Sequence, residues 1–233
     1  MLCLPIPMPP SKNLSVLCVG AHSDDIEIGC GGTVLRLLQA IPSVRIHWVV
    51  FSSNAVRRRE AVRSARLFLK GAKSKRIVVH SYKDGFFPYQ GAKIKRGFER
   101  LKKQINPDLI FTHYRHDLHQ DHRLLNELTW NTFRGHLILE YEIPKYDGDL
   151  GSPNVFVPLE ESICCLKATY LDQSFETQRT KRWFSEGTFF ALLRLRGVEG
   201  ASPTRFAEAF YGRKIDLEFP SESRFAEDRG AIK

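Results

Sequence analysis

The chain is sparing with cysteine. Its five, Cys3, Cys18, Cys30, Cys164 and Cys165, are odd in number and show no C-x-x-C spacing. That excludes a disulfide framework, which 233 residues do not need in order to close a core. A reducing, cytoplasmic location is expected. Long apolar runs are also missing, and none approaches the roughly 20 residues of a membrane span. The first ten residues hold four prolines and no Lys or Arg, which breaks the secretory signal pattern. Neither G-x-G-x-x-G nor G-x-x-x-x-G-K-[ST] occurs, so the stretch from Gly29 to Thr33 is not a phosphate loop. Its glycines are expected to let a helix start pack closely on a sheet. Internal repeats and low-complexity blocks are absent.

What the chain does have is enough apolar character, 42%, for one globular domain, and an excess of positive charge. Thirty-five Lys and Arg oppose twenty-six Asp and Glu, a formal +9. Between Arg57 and Lys103 sixteen basic residues face three acidic ones, leaving 19 against 23 elsewhere, a net of −4. The surplus therefore belongs to one fifth of the chain. On its own it suggests an anionic partner such as nucleic acid, phosphate or an acidic membrane surface.

Short β-branched runs at 16–21, 44–51, 76–79, 109–111 and 137–142 alternate with amphipathic stretches at 33–40, 56–69, 94–104 and 120–132. This is the pattern of an α/β protein with a Rossmann-like, doubly wound, mostly parallel sheet and helices on both faces. One domain with a C-terminal extension is expected: an N-terminal segment 1–13, the domain 14–220, and a mobile tail 221–233. Beyond residue 143 a Pro- and Gly-rich stretch precedes helix-like runs near 160–171 and 178–196.

Metal-binding side chains concentrate in two places. Gly20-Ala-His22-Ser-Asp24-Asp25 follows the first strand, and His113 to His122 follows the fourth, with four of the eight histidines in ten residues. A lone His or Asp reads as a satisfied core or surface group. Two clusters that both follow strands, at loops meeting across the switch point of a doubly wound sheet, read as a site. Two imidazoles and one carboxylate with open positions, His22, Asp25 and His122, suit Zn²⁺, and by ligand type equally Fe²⁺. Asp24, beside a ligand yet free, can take a proton from bound water. His119 can act as acid or hydrogen-bond donor, with Asp121 orienting it.

These residues carry a resemblance. The stretch from Gly20 to Thr33, with His119-Gln-Asp121-His122, resembles the zinc-dependent PIG-L/LmbE-like deacetylases, whose signatures are A-H-P-D-D with a Gly-rich helix start and H-P-D-H. It spans roughly residues 14 to 142, with weaker echoes near Arg205 to Phe210. It implies removal of an N-acetyl group from an N-acetylglucosamine-type sugar, with metal ligands at His22, Asp25 and His122. It further implies a general base at Asp24 and a histidine stabilising the tetrahedral intermediate at His119, partnered by Asp121. Ser23, Gln120 and Ile26 depart from the family's usual Pro, Pro and Glu, and affect loop rigidity and substrate fit rather than chemistry.

Loops after the second and third strands should border the same crevice. They single out Arg57, in an R-x-x-E stretch of ambiguous register, and Asp84 as substrate contacts, and Phe86 to Tyr89 as rings to stack on a sugar. His116 and Asp117 are candidates to support the ligands. His113, Cys164 and Cys165 read as core. The region 143–210 is expected to shape the acceptor side of the pocket. Positive charge near the site favours a phosphate-bearing conjugate, and a homo-oligomer stays open. Two rivals remain. A DHH-like metal-dependent phosphoesterase would need a third motif letter, which is Arg123, and further Asp ligands. A basic nucleic-acid-binding module would use Arg59, Arg63, Arg66, Lys70 and Lys73 but lacks interleaved aromatics.

Overall fold

The computed structural model describes residues 3–6, 9 and 13–216. Strands β1 (Leu14–Gly20), β2 (Val44–Ser52), β3 (Ser74–Tyr82), β4 (Leu109–His113) and β5 (Leu137–Tyr141) alternate with helices α1 (Asp25–Ala40), α2 (Ala55–Phe68), α3 (Gly91–Gln104) and α4 (Gln120–Thr132). β6 (Val155–Leu159), α5 (Glu161–Ser174), α6 (Glu186–Glu199) and β7 (Phe206–Gly212) complete the order. All seven strands form one sheet, β3-β2-β1-β4-β5-β7-β6. The first five are parallel, and β7 runs antiparallel to both β5 and β6.

Successive side chains on a strand point to opposite faces, so β1 feeds two cores. Val16 and Cys18 pack with α1, α2, α5 and α6, whereas Leu17 and Val19 pack with Ile94 and Phe98 of α3 and Leu125 of α4. Both faces are covered, as a parallel sheet requires. β1 pairs with β2 on one side and β4 on the other. The chain thus reverses its winding between β1 and β4, and the loops after these strands flank that crevice.

The structure corrects several boundaries. α1 begins at Asp25, eight residues before the expected start at Thr33, so the glycines lie inside the helix. They serve close packing: a Cβ at Gly29 would stand 2.1 Å from the Tyr141 ring, and one at Gly31 would stand 2.6 Å from Phe68. β6 arises from sequence read as a Pro-rich connection, because Pro158 is tolerated on an edge strand. β7 escaped the reading, since Ala207-Glu208-Ala209 has no strand propensity of its own. α6 starts at Glu186, after turns that occupy 179–185. β6 and β7 thus bring the region past 143 into the sheet. Cys165 is exposed, contrary to the core reading, while Cys164 is buried. The expected tail at 221–233 lies outside the described residues. Among the described residues no helix is long and apolar enough to cross a membrane.

Candidate active site

A cavity of about 810 Å³ opens at the carboxyl ends of the parallel strands. Its floor comes from the loops after β1 and β4. Its walls are Ser52 to Asn54 and Arg57 at the end of β2 and the start of α2, Ser81 to Asp84 at the end of β3, Ile143 and Lys145 to Asp147 after β5, and Gln178, Lys181 and Trp183 before α6.

The starts of two helices place the floor residues. α1 begins with Asp24 at its N-cap and Asp25 in its first turn. α4 is capped by His119, whose Nδ1 accepts from the Asp121 N–H at 3.3 Å. With Nδ1 accepting, the neutral ring carries its proton on Nε2. His119 lines the cavity, and burial lowers its pKa below the ordinary value. Asp121 and His122 follow in the first turn of α4.

Three of these side chains meet. His22 Nδ1 lies 3.1 Å from His122 Nε2 and 3.3 Å from Asp25 Oδ2, which is 3.5 Å from His122 Nε2. Donors about 2.0–2.2 Å from a tetrahedral ion stand about 3.3–3.6 Å apart, so the set lies within about 0.2 Å of the edge lengths that such an ion requires. The charge balance agrees. Burial opposes a charge on His22, but Asp25, Asp121 and Asp84 raise its pKa well above the ordinary imidazole value. Burial alone would raise Asp25, yet His122, His22 and His113 hold it well below the carboxylate range. A site this rich in carboxylate suits a cation.

Both histidine candidates are held from behind. Asp117 Oδ2 meets His122 Nδ1 at 2.9 Å and Lys145 Nζ at 3.1 Å. A carboxylate on the far nitrogen of an imidazole fixes ring orientation and tautomer. Burial and His113 push His122 down to about 3, so it stays neutral at pH 7. His22 Nε2 faces Asp84 Oδ1 at 3.0 Å and Asp121 Oδ2 at 3.4 Å. His113 is fully buried and stacks on His122, with its Nε2 2.9 Å from the Ala21 nitrogen and 3.2 Å from Asp25 Oδ2.

Asp24 is buried among these groups. Arg57 Nη2 binds its Oδ1 at 2.7 Å, whereas its buried Oδ2 has no hydrogen-bond partner. Burial raises its pKa, with Arg57 partly offsetting the rise. The register among the three arginines is settled by the cap of α2. Asn54 accepts from the N–H of Val56 and of Arg57, which puts Arg57 in the first turn, where Glu60 holds it at 2.8 Å. Arg58 turns away to the carbonyl of Val79.

Three expected contacts differ. The Asp121 carboxylate accepts from the Gly85 and Phe87 N–H groups at 2.7 and 3.0 Å and faces His22, so its link to His119 is through the backbone. His116 is exposed and packs edge-on against Tyr114, away from the floor. Phe87 is core, while Phe86 and Tyr89 are exposed and outside the cavity lining. Lys145, Tyr146, Lys181 and Trp183 line the cavity unannounced. The expectation that 143–210 shapes the acceptor side of the pocket covered them only as a region.

The model of the family described as PIG-L, GlcNAc-PI de-N-acetylase, matches residues 17–133. That span holds both floor loops. Among solved structures, the chain is similar to N,N'-diacetylchitobiose deacetylase of Pyrococcus horikoshii, at 21% identity, over 90% of this chain and 87% of that one, with a TM-score of 0.64. It is similar to GalB, the 4-carboxy-2-hydroxymuconate hydratase of Pseudomonas putida, at 17% identity, over 89% and 99% of the chains, TM-score 0.64. A deacetylase of the teicoplanin biosynthetic pathway matches at 16% identity, over 87% and 100%, TM-score 0.64. At such identities the likeness shows a shared fold.

Proposed function

The chain belongs to the PIG-L family, and on that premise we propose that it is a metal-dependent hydrolase that removes the N-acetyl group from an N-acetylglucosamine-type sugar conjugate. The observation that carries this reading is the set His22 Nδ1, His122 Nε2 and Asp25 Oδ2, mutually 3.1 to 3.5 Å apart, beside a buried Asp24 oxygen without a partner. The neighbours with deacetylase activity support it in kind.

Zn²⁺, or Fe²⁺ by ligand type, held by His22, Asp25 and His122 would supply a Lewis acid and a water of lowered pKa. Asp24 Oδ2 accepts the proton of the attacking water, while Arg57 fixes the carboxylate through Oδ1. His119 Nε2–H donates to the amide oxygen as it becomes an oxyanion, a contact worth about 3 kcal/mol. The proton held on Asp24, or that of His119, passes to the departing sugar nitrogen, leaving acetate and a free amine. Asp121 keeps His22 and the Gly85 loop in register. Asp84, 73% exposed and against His22, is free to turn to a sugar hydroxyl, and Arg57 edges the same wall.

Lys83 and Lys181 on the walls favour a conjugate bearing phosphate or another anion. The five free thiols suit a cytoplasmic enzyme. Metal content of the purified protein, followed by amine release from a panel of N-acetylglucosamine conjugates, tests the proposal. One zinc per chain with release from at least one conjugate is expected. Metal bound at that ratio with no release from any would overturn the substrate class.

A further inference from the structure

α1 carries Asp24 and Asp25 at its start, but its next turns contain Gly29, Gly31 and Gly32. Each interior glycine costs about 1 kcal/mol of helix stability relative to alanine. The turn that must hold the site residues still is therefore the one with the least helicity of its own.

A buried ion pair meets the backbone at this point. Glu208 of β7 accepts from the N–H of Gly32 at 2.8 Å through Oε1 and from that of Thr33 at 2.6 Å through Oε2. Lys167 of α5 donates to the carbonyl of Ile28 at 2.6 Å and to Glu208 Oε1 at 2.7 Å. The Gly32 N–H and the Ile28 carbonyl are the donor and acceptor of one rung of the i→i−4 ladder. One member of the pair engages each. The side chains are only 4% and 3% exposed. As a source of stability a buried ion pair is poor, because desolvation consumes most of the attraction. Here both charges are instead spent on defined backbone groups of one helical turn, and they tie it to β7 and α5.

We infer that Lys167 and Glu208 are positioning residues: the pair clamps the glycine-weakened turn of α1 and thereby holds Asp24 and Asp25 in place over the floor. The roles of those two aspartates rest on the proposed function; the clamp itself does not. Glu208 acts as an external cap within the helix, and Lys167 neutralises it and binds the carbonyl left facing it.

Amide hydrogen exchange along α1 in the metal-free full chain, with zinc affinity measured by competition against a chromophoric chelator, tests this. E208Q and K167M should each speed exchange at residues 26–33 by about ten-fold or more while residues 34–40 change by less than roughly two-fold. Zinc affinity should fall by about ten-fold. The double variant K167M/E208Q removes the uncompensated charge of either single change. It should regain melting temperature without regaining protection at 26–33, whereas a merely structural pair would regain both together. Exchange that rises evenly along α1, or not at all, overturns the clamp, as does zinc affinity within about two-fold of wild type once protection is lost. Should a single variant fail to fold, the double variant carries the same readout. A wild-type chain that binds no zinc refutes the metal reading, and exchange at 26–33 then decides the clamp alone.

Discussion

The floor of the cavity and the two exposed lysines on its walls are held on opposite principles. On the floor, His22, Asp25, His113, Asp117, Asp121 and His122 are tied to one another or to backbone N–H groups, and all but His22 are buried. On the walls, Lys83 and Lys181 are exposed and form no ion pair among the described residues. Lys83 Nζ sits 3.8 Å over the Phe86 ring and Lys181 Nζ 5.5 Å from that of Trp183. Groups held by several partners are fixed before substrate arrives, which is what oriented chemistry needs. Groups held by one weak contact can be recruited by whatever enters. The floor should therefore govern turnover and metal, and the walls substrate choice.

The sharpest break of that contrast is Asp24→Asn. It keeps the bond to Arg57 and removes the proton acceptor. Turnover should fall by about 10³-fold or more with metal content unchanged. Measured zinc stoichiometry alongside amine release checks it, and full activity would sink the assignment of Asp24. Asp117→Asn comes next. It replaces the carboxylate on His122 Nδ1 with an amide and leaves Lys145 only Asp149 as an acidic partner. Metal affinity should drop about 10–100-fold in chelator competition.

Beside the floor, Glu27 in the first turn of α1 is fully buried, and it gives a pH-dependent effect. Burial pushes the Glu27 carboxyl up to about 8, and the Ser64 hydroxyl offsets only part of the rise. The folded chain therefore holds a proton there that the unfolded chain has released above pH 4.5. Protons bound in excess by the folded state make stability fall as pH climbs, here from 4.5 toward 8. Glu27→Gln removes that loss. The variant should match wild type near the lower limit and gain about 1–3 kcal/mol at pH 7.5, read from denaturant midpoints at both pH values. A gain independent of pH would show that Glu27 stays charged in the folded chain.

The same contrast explains what the sequence made legible. The five parallel strands and four intervening helices were readable because each is a local hydrophobic pattern. The floor was readable because its candidate ligands crowd into two short motifs, and strand order puts both motifs at the switch point. What escaped depended on distant partners. The turn from Asp25 to Thr33 contains three glycines that no propensity would place in a helix. It is helical because Tyr141, Phe68 and the Lys167–Glu208 pair hold it. β7 is a strand because β5 and β6 flank it. The bond from Asp117 to His122 lies five residues apart in the chain, but nothing in that spacing chose Asp117 over His116. Lys181 and Trp183 fell inside a stretch expected to be helical, and turns instead bring them to the wall.

Those two residues give the smallest and most discriminating prediction. Trp183 can cover a sugar face and Lys181 can meet an anionic substituent, yet neither touches the three donors or Asp24 by a hydrogen bond. An exposed cation near an aromatic ring is worth about 0.5–1 kcal/mol, so each contact is a matter of a few-fold in binding. Lys181→Ala and Trp183→Ala should raise KM by about two- to ten-fold and leave kcat and zinc affinity near wild type. The Lys181 effect should shrink with added salt and vanish on a neutral conjugate, while that of Trp183 should persist on both. A drop in kcat for either would mean that the wall is coupled to the floor, and the division between chemistry and recognition would have to be redrawn at Lys181, whose charge already reaches Asp24 through space.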